Sequence, residues 1–120
     1  MTNTITREQI QHKLNSKESI TIVEALPATY FETEHLPGAI NIPHDQIHEK
    51  APGMLPDKEA FIVVYCANTA CQNSRIATQL LQQMGYTNVH EYVEGKQHWT
   101  EANLPVHTGV PVHTSVKAQS

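Results

Sequence analysis

The sequence predicts an α/β domain built on a mainly parallel sheet, and two observations carry that prediction. Two runs, Ile20 to Ala25 and Phe61 to Tyr65, are short, apolar and rich in β-branched or aromatic residues, as strands covered on both faces are. Segments with apolar residues at helical spacing lie between such runs. Strand and helix therefore alternate along the chain, the pattern of parallel strands joined by right-handed crossovers. At 120 residues the chain has the length of one domain. It buries roughly two thirds of its unfolded surface, enough for a core without disulfides or a structural metal.

Each element follows in chain order. Thr6, with Gln9 three residues on, reads as a capping box opening a helix through Glu8, Ile10 and Leu14 that ends near Ser16. Ile20 to Ala25 is a strand closed by Pro27, and a short helix over Ala28 to His35, carrying Tyr30 and Phe31, stops before the Pro37-Gly38 turn. Ala39 to Ile42 is a brief strand ended by Pro43. Pro43, Pro52 and Pro56 then interrupt the chain, which predicts only a short helix from about Asp45 to Glu49 and loop beyond it. Phe61 to Tyr65 is the strongest strand signal and is assigned to the centre of the sheet. After the polar loop that starts at Cys66, Ile76, Ala77, Leu80, Leu81 and Met84 recur at helical spacing, and Gly85 supplies the stop. Val89 to Val93 reads as a strand, Gly95 as a turn, and Lys96 to Ala102 as a short helix around Trp99. From Leu104 no period is visible, although PVHT occurs at Pro105 to Thr108 and again at Pro111 to Thr114. Residues 1–106 are read as the single domain and 107–120 as a flexible tail.

Composition narrows the partners. Eight basic and twelve acidic side chains leave a formal charge of -4 with no block of like charge, so neither nucleic acid nor an anionic membrane is expected. No run approaches the ~20 apolar residues of a membrane span. The polar start MTNTITREQ lacks the regions of a secretory signal, and the expected location is the cytoplasm. A bond between Cys66 and Cys71 would close only a short loop, and in a reducing compartment such a pair is more often reactive, metal-binding or incidental than structural.

In an open parallel sheet, ligands bind beyond the carboxyl ends of the strands, and Cys66 stands at that place. Its sulfur is expected to face the loop Ala67, Asn68, Thr69, Ala70, Cys71, Gln72 and Asn73, whose inward N–H groups, with the positive end of the next helix, would cradle a thiolate or persulfide. Ser74, at the loop's end, is placed to cap that helix. A cysteine at the end of a buried strand is more often a small core residue than a nucleophile, so the wider pattern decides. Tyr65-Cys66, Cys71, Ser74 and Gly85-Tyr86 closely resemble the active-site segment of the rhodanese family. The stretch His35-Leu36-Pro37-Gly38-Ala39-Ile40-Asn41-Ile42-Pro43 is similar to that family's H-x-P-G-A-x-x-x-P segment, and Asn88-Val89 through Glu94-Gly95 and Trp99 to its closing strand, glycine turn and tryptophan helix. The resemblance covers Ile5 to about Val106. It implies a five-stranded, mainly parallel sheet with helices on both faces, Cys66 as sulfur acceptor, and no metal or organic cofactor. It also implies a small-molecule donor, thiosulfate or a low-molecular-weight persulfide, and a thiol or cyanide-like acceptor, with a protein acceptor as a further candidate.

The chain departs from the family pattern in several places. The acidic-x-arginine pair after the first strand is here Glu24-Ala25-Leu26, so an ion pair near the loop is expected to be lost. The loop is about two residues longer than the common form and lacks a basic side chain and the central glycine. Thiosulfate, a dianion, is therefore expected to bind less well than to a basic loop, since only Arg75 lies nearby. Glu94 replaces the first glycine of the usual pair. For Cys71 two readings stay open: a resolving thiol that releases sulfide or guards Cys66, or a residue filling the inner side of the loop. A disulfide to Cys66 needs Cα atoms within about 7 Å. His35, His44, His48, His90, His98 and the tail histidines show no ligand spacing that argues for a metal, and a structural hydrogen bond is expected of His35. Tyr30, Phe31 and Trp99 are read as core or pocket-wall aromatics. A phosphatase or arsenate reductase would want arginine six positions after the nucleophile, where Gln72 stands. The rival from another class is a non-catalytic interaction or redox-sensing module.

Overall fold

The computed structural model describes residues 3–109. Its strands are Asn3–Thr4 (β1), Thr21–Glu24 (β2), Ile40–Asn41 (β3), Ile62–Tyr65 (β4) and Val89–Tyr92 (β5). Its α-helices are Arg7–Asn15 (α1), Ala28–Thr33 (α2), Ile47–Met54 (α3), Asn73–Gln83 (α4) and Gly95–Glu101 (α5). All strand pairs are parallel, in the order β1-β5-β4-β2-β3, which puts β4 in the middle as the sequence predicts. Alternation along β4 sends Ile62 and Val64 to a core built with α3 and α4, and Val63 and Tyr65 to one built with α1, α2 and α5. Every β4 side chain is fully buried, each aliphatic one worth about 1.5–3 kcal/mol.

Local signals act where expected at α1 and α4. Thr6 accepts from the Gln9 N–H at 3.1 Å while the Thr6 N–H donates to Gln9 Oε1 at 2.9 Å, closing the capping box. Gly85 takes φ +99° just beyond α4, the left-handed stop that glycine adopts without a Cβ penalty.

Three elements differ from the reading of the sequence. β1 was not anticipated, because Asn3 and Thr4 are exposed and polar; main-chain pairing to His90 and Glu91 of β5 makes the strand, not a buried side chain. The helix expected over Asp45 to Glu49 is instead a 3-10 turn at His44–Gln46 followed by α3, which runs through Pro52. Burial of Ile47 and Ala51 holds that helix, and the Tyr86 hydroxyl donates to the Leu55 carbonyl at 2.6 Å and lies 3.2 Å from that of Ala51; the bond that proline forfeits would have gone to the exposed His48. Finally, His107 exchanges two main-chain hydrogen bonds with His35, at 2.9 and 2.8 Å, and the Gly109 N–H donates to Glu32, so the start of the supposed tail is fastened to the domain. Residues 110–120, including the second PVHT copy, lie outside the described residues.

His35 is buried, stacked on Phe31 at 3.8 Å between centroids, with Nδ1 2.8 Å from the Phe31 carbonyl, the structural role expected of it. Burial foremost, and then the nearby His107 and Lys96, hold its pKa below the ordinary 6.5. The unfolded chain therefore binds a proton that the folded chain does not. His35 adds stability above pH 6.5 that is lost as the pH falls toward its lowered value, and His90, also lowered by burial, acts in the same direction. Urea midpoints measured on either side of that pH are expected to fall on acidification. In His35→Asn the fall should be smaller, and an equal fall would assign the effect elsewhere.

Candidate active site

Cys66 follows β4 directly and is buried, at the carboxyl end of the central strand. The loop backbone is held from the far side by α5: the Lys96 N–H donates to the Cys66 carbonyl and the Gln97 N–H to the Ala67 carbonyl, both at 2.8 Å. So close an approach leaves no space for a side chain at the turn. A Cβ on Gly95 would stand 2.6 Å from the Cys66 carbonyl oxygen and 2.9 Å from Ala67 and Asn68 backbone atoms, and its φ is +74°. Glu94 before it has φ -68°, which any residue adopts, so the missing first glycine costs the turn nothing.

Within the loop, Asn68 folds the chain on itself. Its carbonyl accepts the Cys71 N–H at 3.1 Å and its side chain the Ala70 N–H at 3.0 Å. Those two amides are spent inside the loop and drop out of the anion cradle expected of residues 67–73. Thr69, Ala70 and Gln72 are exposed, while Ala67, Asn68, Cys71 and Asn73 are half-buried. Cys71 lies back against Cys66 with Cα atoms 6.4 Å apart, and the two sulfurs are joined in a disulfide, the pairing that was conditional on that distance.

Ser74 corrects the sequence reading. The residue at the helix cap is Gln72, without a side-chain cap bond, and Ser74 is already inside α4. Its hydroxyl donates to Glu91 Oε2 at 2.7 Å, and its oxygen lies 3.3 Å from Cys66 Sγ. Glu91 is buried on β5 and was not singled out, because one acid in VHEY carries no motif.

The ion pair expected to be lost is present with a different cation. Lys96 Nζ bonds Glu24 Oε1 and Oε2 at 3.1 and 3.0 Å and also the carbonyls of Tyr30 and Glu34. The Tyr65 hydroxyl donates to Glu24 at 2.6 Å and accepts from the Leu36 N–H. Burial pushes the Glu24 carboxyl above its usual range, against the pull of Tyr65 and Lys96. Burial first and Glu24 second keep the Tyr65 hydroxyl protonated well past its ordinary value. Lys96 could not be found from spacing, since 72 residues separate the partners.

The remaining candidates are structural. Phe31 and Trp99 are fully buried, whereas Tyr30 is 56 % exposed and lines no core. Arg7 donates to His98 Nε2 and His98 Nδ1 meets the Tyr92 hydroxyl at 2.8 Å, pinning α5 to α1 and β5. His90 stacks on Phe61. Among the described residues no group of three His, Cys, Asp or Glu side chains is placed to hold a metal, and no helix is long and apolar enough to cross a membrane.

A parallel five-stranded sheet, a cysteine at the mouth of its central strand and a glycine-closed loop over it define an α/β domain of the cysteine-loop kind. The model of the rhodanese-like domain matches residues 6–102, and the chain belongs to that family. It is 31% identical over 108 residues to the HTH-type transcriptional regulator Rv0324 of Mycobacterium tuberculosis, covering 90% of this chain and 46% of that protein. It is 41% identical over 59 residues to thiosulfate sulfurtransferase PspE of Escherichia coli, covering 49% of this chain and 55% of PspE. A thiosulfate sulfurtransferase structure from Pseudomonas aeruginosa superposes with TM-score 0.81 at 25% identity, covering 92% of this chain and 21% of the other. The chain spans about half the length of the first curated relatives it matches and 21% of the Pseudomonas chain.

Substitutions at Gly95 and Lys96, each with a control, test how the loop is held. Gly38, with φ +76° and open space around it, should tolerate alanine for about 1–2 kcal/mol, whereas Gly95→Ala must also displace the loop backbone and should cost clearly more in urea unfolding. Lys96→Met leaves Glu24 buried without its cation and should cost about 3–5 kcal/mol, with Glu24→Gln in the same chain recovering part of the loss. Equal losses for the two glycines, or a mild Lys96→Met, would show the loop to be held by other contacts.

Proposed function

We propose that this chain is a sulfurtransferase in which Cys66 takes sulfane sulfur from thiosulfate or a small persulfide and passes it to a thiophilic acceptor. The observation that carries this reading is the place of Cys66: end of the central strand, buried, its main chain clamped by α5 and its sulfur beside a loop without competing charge. In the first step the Cys66 thiolate attacks the outer sulfur of the donor, and the donor's S–S bond breaks with its electron pair on the departing sulfite or thiol. In the second step an acceptor thiol, cyanide-like nucleophile or protein thiol attacks that outer sulfur, and the pair returns to Cys66. No metal or organic cofactor takes part.

Cys71 fits the resolving thiol. Its thiolate attacks Cys66 Sγ of the persulfide, a Cys66–Cys71 bond forms and hydrosulfide leaves. A dithiol reductant must then open the disulfide to restore both thiols. The Cα separation of 6.4 Å supports this reading. Residues 67–73 form the donor site, and Ser74 backs the nucleophile.

Intact mass of the reduced protein after incubation with thiosulfate, cysteine persulfide or glutathione persulfide tests the proposal. A gain of one sulfur, removed by added thiol and absent in Cys66→Ser, is expected, with a longer-lived adduct in Cys71→Ser. No gain from any donor, in this protein or in Cys71→Ser, would overturn the transfer reading, and equal lifetimes would remove Cys71 from it.

A further inference from the structure

We infer that Glu91, acting through Ser74, is a specificity-determining residue that turns the site away from dianionic donors such as thiosulfate and toward persulfides of low or positive charge. The inference rests on the sulfur-transfer reading of Cys66 and names its substrate class.

The geometry begins with proton counting. A serine hydroxyl has one proton to give, and that of Ser74 goes to Glu91 Oε2 at 2.7 Å. What Ser74 presents to Cys66 Sγ, 3.3 Å away, is therefore a lone pair. A thiol can donate to it, but an anionic sulfur or the charged end of a donor gains nothing there. Behind the serine stands the carboxylate itself, 6% exposed and separated from the reacting sulfur by that one hydroxyl.

Among the described residues no cationic side chain is paired with that charge. Glu91 faces the side of the sheet covered by α4, and its register neighbours, Val64 on β4 and Thr4 on β1, are uncharged. Residues 67–73 carry no charged side chain. Lys96, whose N–H is part of the α5 clamp, commits its ammonium to Glu24, and Arg75 on α4 is exposed. A buried charge is screened far less than one at the surface. The repulsion therefore grows with the negative charge of whatever approaches Cys66, while a neutral or cationic donor meets none.

Alkylation of reduced Cys66 in the Cys71→Ser protein tests this without any sulfur transfer. Rates are measured with neutral iodoacetamide and anionic iodoacetate, and their ratio cancels the fraction of thiolate. Glu91→Gln is expected to lower the iodoacetamide preference about tenfold, and Glu91→Asp, which keeps the charge, to retain it. A ratio unchanged in Glu91→Gln overturns the inference. Should Glu91→Gln fail to fold, the Cys71→Ser protein decides alone: its ratio must exceed that of the same protein in denaturant, and equal ratios overturn the inference. Sulfur uptake is then compared between cysteamine persulfide and mercaptopropionate persulfide, with faster uptake expected from the cationic donor and equal uptake again overturning the inference. A charge-dependent alkylation ratio with no uptake from either donor would overturn the transfer reading while leaving the role of Glu91 in place.

Discussion

The arrangement at the mouth of the sheet depends on Lys96. Its N–H holds the Cys66 carbonyl, and its ammonium is buried on Glu24 and the carbonyls of Tyr30 and Glu34. One residue thus ties the cysteine loop to β2 and α2. Removing an ammonium and a carboxylate from water costs several kcal/mol per ion, and the cost is offset only when the remaining donors and acceptors are satisfied. Here each proton of the ammonium has an oxygen, and Tyr65 gives Glu24 a further donor. Such a pair contributes little net stability but specifies geometry strongly, because moving α5 away from β2 would strand both charges. The carbonyl of Cys66 is therefore placed by a constraint that does not touch the sulfur.

A second consequence concerns the charge around that sulfur. The loop has no cation, and Asn68 draws two of its amides inward. The polar contact nearest to Cys66 on the helix side is Ser74, oriented by Glu91. Among the described residues the sulfur thus meets the main chain of the loop and a hydroxyl oriented by Glu91, not a basic side chain at the rim. That arrangement agrees with the missing arginine after β2 and the missing basic residue in the loop: both cations that a dianion would want are absent, while the structural ion pair has been rebuilt with Lys96.

Much of the fold was legible in the chain. α1, β2, β4, α4 and β5 announce themselves through capping, period and β-branched content, because each buries a face whose pattern is local. β1 and α3 do not. β1 is an edge strand of polar residues made by hydrogen bonds to β5, and α3 keeps its course past Pro52 because Ile47, Ala51 and Tyr86 hold it. At the site, the place of Cys66 and most of its loop were readable, but Asn73, read as loop, already belongs to α4, and Ser74 was assigned a capping role that Gln72 occupies.

The sequence alone determined the alternating α/β order, the central position of Phe61 to Tyr65 and the cysteine that follows it, since these rest on side chains acting within a turn or a strand of their neighbours. Tertiary structure decided which residues answer one another across long gaps: Lys96 with Glu24, Glu91 with Ser74, Gly95 against the Cys66 carbonyl. The physical reason is one of range. Periodicity and capping are written in residues a few places apart, but a buried charge or a lone pair finds its partner only when strands far apart in the chain are brought side by side.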